Sequence, residues 1–135
     1  MRIRIMKWLP ALLMMLVIFL ISARPSSSLP NFDWADSIVK KGGHMIGYAL
    51  LALLYWRAFD LKKGKLWIAW LLAVLYAVTD EFHQSFTPGR HPSPWDVLLF
   101  DNFGALISLW LANRYRRQKR PERAHPIVED VSARG

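Results

Sequence analysis

The chain has 135 residues, 53% of them hydrophobic, with 18 Lys and Arg against 10 Asp and Glu and a formal net charge of +8. That length suits one small domain, and its charges are gathered into short stretches between long apolar runs, which argues against an ordinary soluble fold and points to a membrane protein. The cations flank apolar runs rather than cover a surface of their own, so no nucleic-acid partner is expected, and the lack of cysteine excludes disulfides and thiolate metal sites.

Four apolar runs, 8–23, 43–59, 66–86 and 95–112, are each close to the ~17 to 25 residues a membrane-spanning helix needs. The first comes after Arg2, Arg4 and Lys7 and ends near Ser22 and Ala23, as a signal peptide would. However, Ile21 or Arg24 would fall where a cleavage site wants small residues, so the run is read as a retained helix. Next comes 24–41, a Ser- and Pro-rich loop with Pro25, Ser26, Ser27, Ser28 and Pro30, expected to carry a short amphipathic turn over 32–39 resting on the membrane surface. The other helices are joined by shorter loops, and beyond Arg114 the chain turns basic and then polar. This divides the chain into a four-helix transmembrane domain, 1–113, and a basic cytoplasmic tail, 114–135, expected to be disordered.

Orientation is set by the cations. Arg2, Arg4 and Lys7, then Arg57, Lys62, Lys63 and Lys65, then Arg114, Arg116, Arg117, Lys119, Arg120 and Arg123 lie on one side. Arg24, Lys40, Lys41 and Arg90 lie on the other, a ratio of thirteen to four. Basic loops stay in the cytoplasm, so both termini are expected there. The fold class is all-α, an integral membrane four-helix bundle.

Measured from the inner helix ends at ~1.5 Å per residue, His44, Asp80 and Asp96 lie at heights of about 21 to 24 Å, and Asp101 lies deeper, at about 16 Å. Ionisable groups at such depths cost several kcal/mol unless paired or hydrated, so they should face one another inside the bundle. Helical spacing supports this expectation: His44, Tyr48 and Tyr55 share a face of the second helix, and Tyr76, Asp80, His83 and Gln84 share one of the third. In the fourth, Asp101, Gly104, Ser108 and Ala112 form a stripe of small and polar residues that lets another helix approach closely.

These residues also form an ordered set of motifs: Lys41-x-x-His44-x-x-x-Tyr48, then Thr79-Asp80-Glu81-x-x-Gln84, Pro88-Gly89-Arg90, and Asp96 followed by Asp101-x-x-Gly104. The set, spanning roughly 40–108, resembles the VanZ-like family, named for a protein that accompanies a glycopeptide-resistance cluster and is linked to teicoplanin resistance. The resemblance implies a multi-pass protein of the bacterial cytoplasmic membrane and of the cell envelope. Two departures are visible. Asp96 and Asp101 are five residues apart where the family pattern leads one to expect four, which leaves open whether they share a face, and Ser108 stands where a second glycine is usual.

Chemically, Asp80 and Glu81 are adjacent acids at the edge of a low-dielectric region, and His44 is a proton carrier that Tyr48 and Gln84 can orient. Arg90, in a turn bounded by Pro88 and Pro92, can supply a bidentate contact to a phosphate or carboxylate, or merely neutralise a neighbouring acid and pin the loop. Such a set suits an anionic, amphiphilic partner: an envelope lipid, a lipid-linked precursor or a lipophilic glycopeptide antibiotic, with Tyr48, Gln84, Arg90, Asp96 and Asp101 as ligand-binding residues. An alternative is a membrane-embedded hydrolase or transferase in which His44, Asp80 and Glu81 carry protons. A third is a structural assembly partner whose polar layer only joins helices. No HExxH or paired-histidine spacing, nucleophile elbow or phosphate-cradling glycine loop occurs, so no metal or other cofactor is expected.

Overall fold

Along the third apolar run small side chains recur with helical period and turn inward, whereas the second run turns large aromatic and aliphatic side chains to the centre. The computed structural model describes residues 2–25, 36–89 and 93–119, and among these all regular structure is helical. Helix α1 spans Arg2–Ser22, α2 Asp36–Ala58, α3 Leu66–Gln84 and α4 Asn102–Gln118. A 3₁₀ turn, Lys63–Lys65, leads into α3. A helical turn, Pro94–Asp96, and a π-helical segment, Val97–Asp101, lead without a break into α4.

Two differences from the sequence reading concern where helices start and stop. Residues 36–39, expected within a separate surface turn, form the first turn of α2. Helix α4 continues past Asn113 through Arg114, Arg116 and Arg117 to Gln118, so the start of the basic tail is helical. The rest of the expected loop turn, and the tail from 120 onward, lie outside the described residues.

The α3 pattern shows how the interior is built. Ala69, Ala73, Ala77, Asp80 and Gln84 are buried along one stripe, while Trp67, Leu71, Leu75, Val78 and Phe82 are exposed. On α1 the buried residues are Ala11, Ile18 and Ser22, and Leu9, Leu12, Leu13, Leu16 and Leu20 face outward. A water-soluble domain of this size would bury such leucines, since each is worth about 1.5 to 3 kcal/mol when removed from water. The α1 stretch Ile5–Ser22 and the stretch Lys63–Gln84 are long and apolar enough to cross a membrane.

Helix α2 is the hub and packs against α1, α3 and α4. Its face of Tyr48, Leu51, Ala52, Tyr55 and Trp56 forms the centre of the core. The tightest seam is with α4. A Cβ built on Gly104 would overlap the carbonyl oxygen of Met45 and come within 3.0 Å of the Met45 Cγ, so only glycine fits there. One turn further along both helices, the Ser108 hydroxyl shares its proton between the carbonyls of Ala49 (3.1 Å) and Ala105 (3.0 Å). Helix α1 is tied on by the hydroxyl of Tyr76, which donates to the Met15 carbonyl at 2.7 Å, and by that of Tyr55, 3.0 Å from the Met15 sulfur.

At the opposite end from Asp80, the α2–α3 loop holds Asp60 and Leu61 in the left-handed region, with φ of 57° and 56°. Side chains with a Cβ resist that conformation by roughly 1–2 kcal/mol each. Tertiary bonds hold it: the Leu61 N–H donates to the Trp56 carbonyl (3.0 Å), the Trp56 indole N–H to the Lys62 carbonyl (2.9 Å), and Arg116 to the Leu61 carbonyl (2.7 Å). Lys7 of α1 pairs with the Asp60 carboxylate.

Candidate functional site

Asp80 sits on the buried stripe of α3, only 4% exposed, near the end of the helix remote from the basic loop. Three donors converge on one of its oxygens, Oδ2: the hydroxyl of Ser22 at 2.8 Å, the hydroxyl of Tyr48 at 3.0 Å and the side-chain amide of Gln84 at 2.9 Å. Gln84 reaches it because i and i+4 share a helix face. Tyr48 comes from α2 and Ser22 is the last residue of α1, so the carboxylate joins three helices. The other oxygen, Oδ1, is buried with no donor among the described residues.

The fourth helix brings a second carboxylate to the same layer. Asp101 is 2% exposed, and its Oδ1 lies 3.7 Å from Nδ1 of His44, an ion-pair distance when the imidazole is protonated. Tyr48 stands between the two acids, its hydroxyl on Asp80 and its ring 6.1 Å from the His44 ring. Helix arithmetic places Asp101 deeper than this, and the five-residue spacing from Asp96 leaves its face open. The π segment Val97–Asp101 explains its position. An i→i+5 turn takes up one extra residue and restores the register of the helix beyond it, so the odd spacing ends with Asp101 pointing into the bundle. The side chain of Asp96 and all of Arg90 lie outside the described residues.

Glu81, adjacent to Asp80 in sequence, goes elsewhere. A step of about 100° around the helix turns it away from the Asp80 cluster, and its carboxylate accepts the backbone N–H of Ser93. It thereby anchors the segment whose first helical residue is Pro94. Glu81 also borders an apolar groove of about 540 Å³ between α3 and the π segment, where the Trp70 indole donates to the Asn102 side chain at 2.7 Å. His83 leaves the Asp80 cluster as well. Its ring stacks on Phe19 of α1 with centroids 4.5 Å apart, and its Nδ1 is buried with no partner among the described residues.

The structure therefore brings together Asp80, Tyr48, Gln84, His44 and Asp101, and does not bring Glu81 to them. Ser22 joins the cluster although the sequence reading treats it only as the end of an apolar run. Its signal is nonetheless in the sequence: a hydroxyl at the far end of the first apolar segment, at the level of His44 and Asp80. Chemically, the three donors fix Oδ2 of Asp80 and leave Oδ1 able to accept an N–H or O–H from a bound molecule. The His44 and Asp101 pair can pass or hold a proton beside it. Among the described residues, no group of three or more His, Asp or Glu side chains is placed to hold a metal ion.

A family model described as VanZ/LLP1 matches residues 5–116. No curated protein and no solved structure matches the chain.

Proposed function

The chain belongs to the VanZ-like family, and from that premise we propose that it is a multi-pass protein of the cell membrane which recognises an amphiphilic envelope molecule through the Asp80 layer. All four helices cross the bilayer, both termini are cytoplasmic, and the Asp80 layer lies near the outer leaflet. The exposed leucines and aromatics of α1, α3 and α4 support this reading, because large side chains outside and small ones inside suit a lipid solvent. So does the gathering of Lys and Arg at the opposite end.

The observation that carries the ligand reading is the half-satisfied carboxylate. A buried ion of this kind costs several kcal/mol, and helix–helix glue would be cheaper with a neutral side chain. With Oδ2 saturated and Oδ1 open, the layer suits a headgroup offering hydroxyl, amide or ammonium donors. Lipid-linked precursors, envelope lipids and lipophilic glycopeptides all present such groups, and binding the last would contribute to teicoplanin-type resistance. Arg90 would add the contact to an anionic group of the same molecule. A second reading, acid–base catalysis on the bound lipid, is favoured only by the His44–Asp101 pair. Turnover of the bound molecule would distinguish it, since recognition alone gives none.

Asp80→Asn tests the proposal. Asparagine keeps the shape and an acceptor oxygen for Ser22, Tyr48 and Gln84, so the fold should persist, but it removes the charge and puts a donor where the ligand's donor would go. Binding of a fluorescent lipoglycopeptide or lipid-linked precursor to the protein in nanodiscs should weaken by ~10-fold or more. Unchanged binding at equal thermal stability would remove Asp80 from the site.

A further inference from the structure

At the basic end of the bundle, a cleft of about 430 Å³ opens between the α2–α3 loop and the end of α4. Its walls carry Lys62 and Lys63 from the loop, Arg116 and Arg117 from α4 and Lys119 just beyond it, against one acid, Asp60. That acid is engaged by Lys7. Five cations around one small concavity repel one another unless an anion joins them.

The cations of the cleft are exposed, but the backbone that carries them is held in place. The loop bearing Lys62 and Lys63 is locked in its left-handed turn by the bonds to Trp56 and Arg116. Arg116 is held in its turn: one guanidinium nitrogen donates to the Leu61 carbonyl and its Cζ lies 5.4 Å from the centroid of the Trp56 ring. Arginine held in this way loses little further freedom on binding, and it has donors beyond the one given to Leu61. Exposed Trp67, at the start of α3, stands at the same end of the bundle, as side chains at the level of lipid headgroups do.

We propose that this cleft binds a phosphate group, supplied by the headgroup of an anionic phospholipid in the facing leaflet. Phosphate oxygens match both the fork of Arg116 and the ammonium groups of Lys62 and Lys63. The inference rests on the membrane placement proposed for the chain but not on the ligand assigned to Asp80, which lies at the other end of the bundle.

The test uses the full chain in neutral detergent micelles, which presuppose no orientation in a membrane. Retention of phosphatidylglycerol or phosphatidylcholine by the intact protein is measured by mass spectrometry. Phosphatidylglycerol should be retained in preference, and the double variant Lys63→Gln, Arg117→Gln should bind it about thirtyfold more weakly at unchanged thermal stability. A control removing the same charge at the same end but outside the cleft, Arg57→Gln with Arg114→Gln, should keep most of the binding. Should the cleft pair fail to fold, Lys119→Gln alone should give about a fivefold loss. Displacement of the lipid by millimolar inorganic phosphate would support the site and show that soluble phosphates also enter. Failure of phosphate to displace it would support the site with the lipid as the source. An equal loss in the control pair, or no preference for phosphatidylglycerol over phosphatidylcholine, would overturn the proposal.

Discussion

The seam between α2 and α4 and the layer around Asp80 both join helices at the centre of the bundle, and they do so by opposite means. At the seam, Gly104 removes a side chain so that the Met45 backbone can come into contact, and the Ser108 hydroxyl is satisfied by carbonyls of the two helices it touches. Nothing there calls for another molecule. At the layer, two carboxylates are brought into the interior, and one oxygen of Asp80 receives three donors while the other receives none among the described residues. Polar groups inside a helical bundle are therefore not one class. Those that close their own hydrogen bonds hold helices together, and those with an open valence in a costly place have capacity left for another donor, which is the role proposed for Asp80.

The largest effect expected from this contrast is at the seam. Gly104→Val puts atoms where the Met45 carbonyl already stands, and neither backbone can give way without parting the helices. Destabilisation of more than about 3 kcal/mol is expected, with loss of folded protein from the membrane fraction and no cooperative unfolding in detergent. A normally folded Gly104→Val protein would show that the seam has room to spare.

A smaller effect is expected from Ser22→Ala, which removes one of the three donors on Asp80 and leaves the alanine no polar group to satisfy. The cost in stability should be about 1 kcal/mol or less, because interhelical hydrogen bonds in membranes are individually modest. Thermal unfolding in detergent would read it. A collapse as large as that of Gly104→Val would mean the Asp80 cluster is chiefly structural, which would blur the comparison.

Glu81→Gln should do least. The amide oxygen can still accept the Ser93 N–H, and the residue lies apart from the Asp80 cluster, so stability should change by no more than about 0.5 kcal/mol. Ligand binding should match that of the parent protein in the same nanodisc assay. Loss of binding in Glu81→Gln with retention in Asp80→Asn would exchange the roles assigned to these neighbours.

Much of this was legible in the sequence, and the residues show where legibility ended. The apolar runs dictated four helices, and helical period put Gln84 on the face of Asp80 and Tyr48 on the face of His44. The ordered motifs sufficed to indicate the family. Sequence spacing reports height and angle along one helix when its period is assumed, so it succeeds wherever the helix is regular. It says nothing of which faces meet. That Ser22 of α1 donates to Asp80, that Glu81 turns to the Ser93 N–H, and that His83 stacks on Phe19 were decided by packing between helices distant in sequence. The approach of Asp101 to His44 was decided by a local departure that only the folded bundle reveals. One extra residue rotates an α-helix by about 100°, and it was the π turn before α4 that absorbed this rotation and set the second carboxylate in the layer of the first.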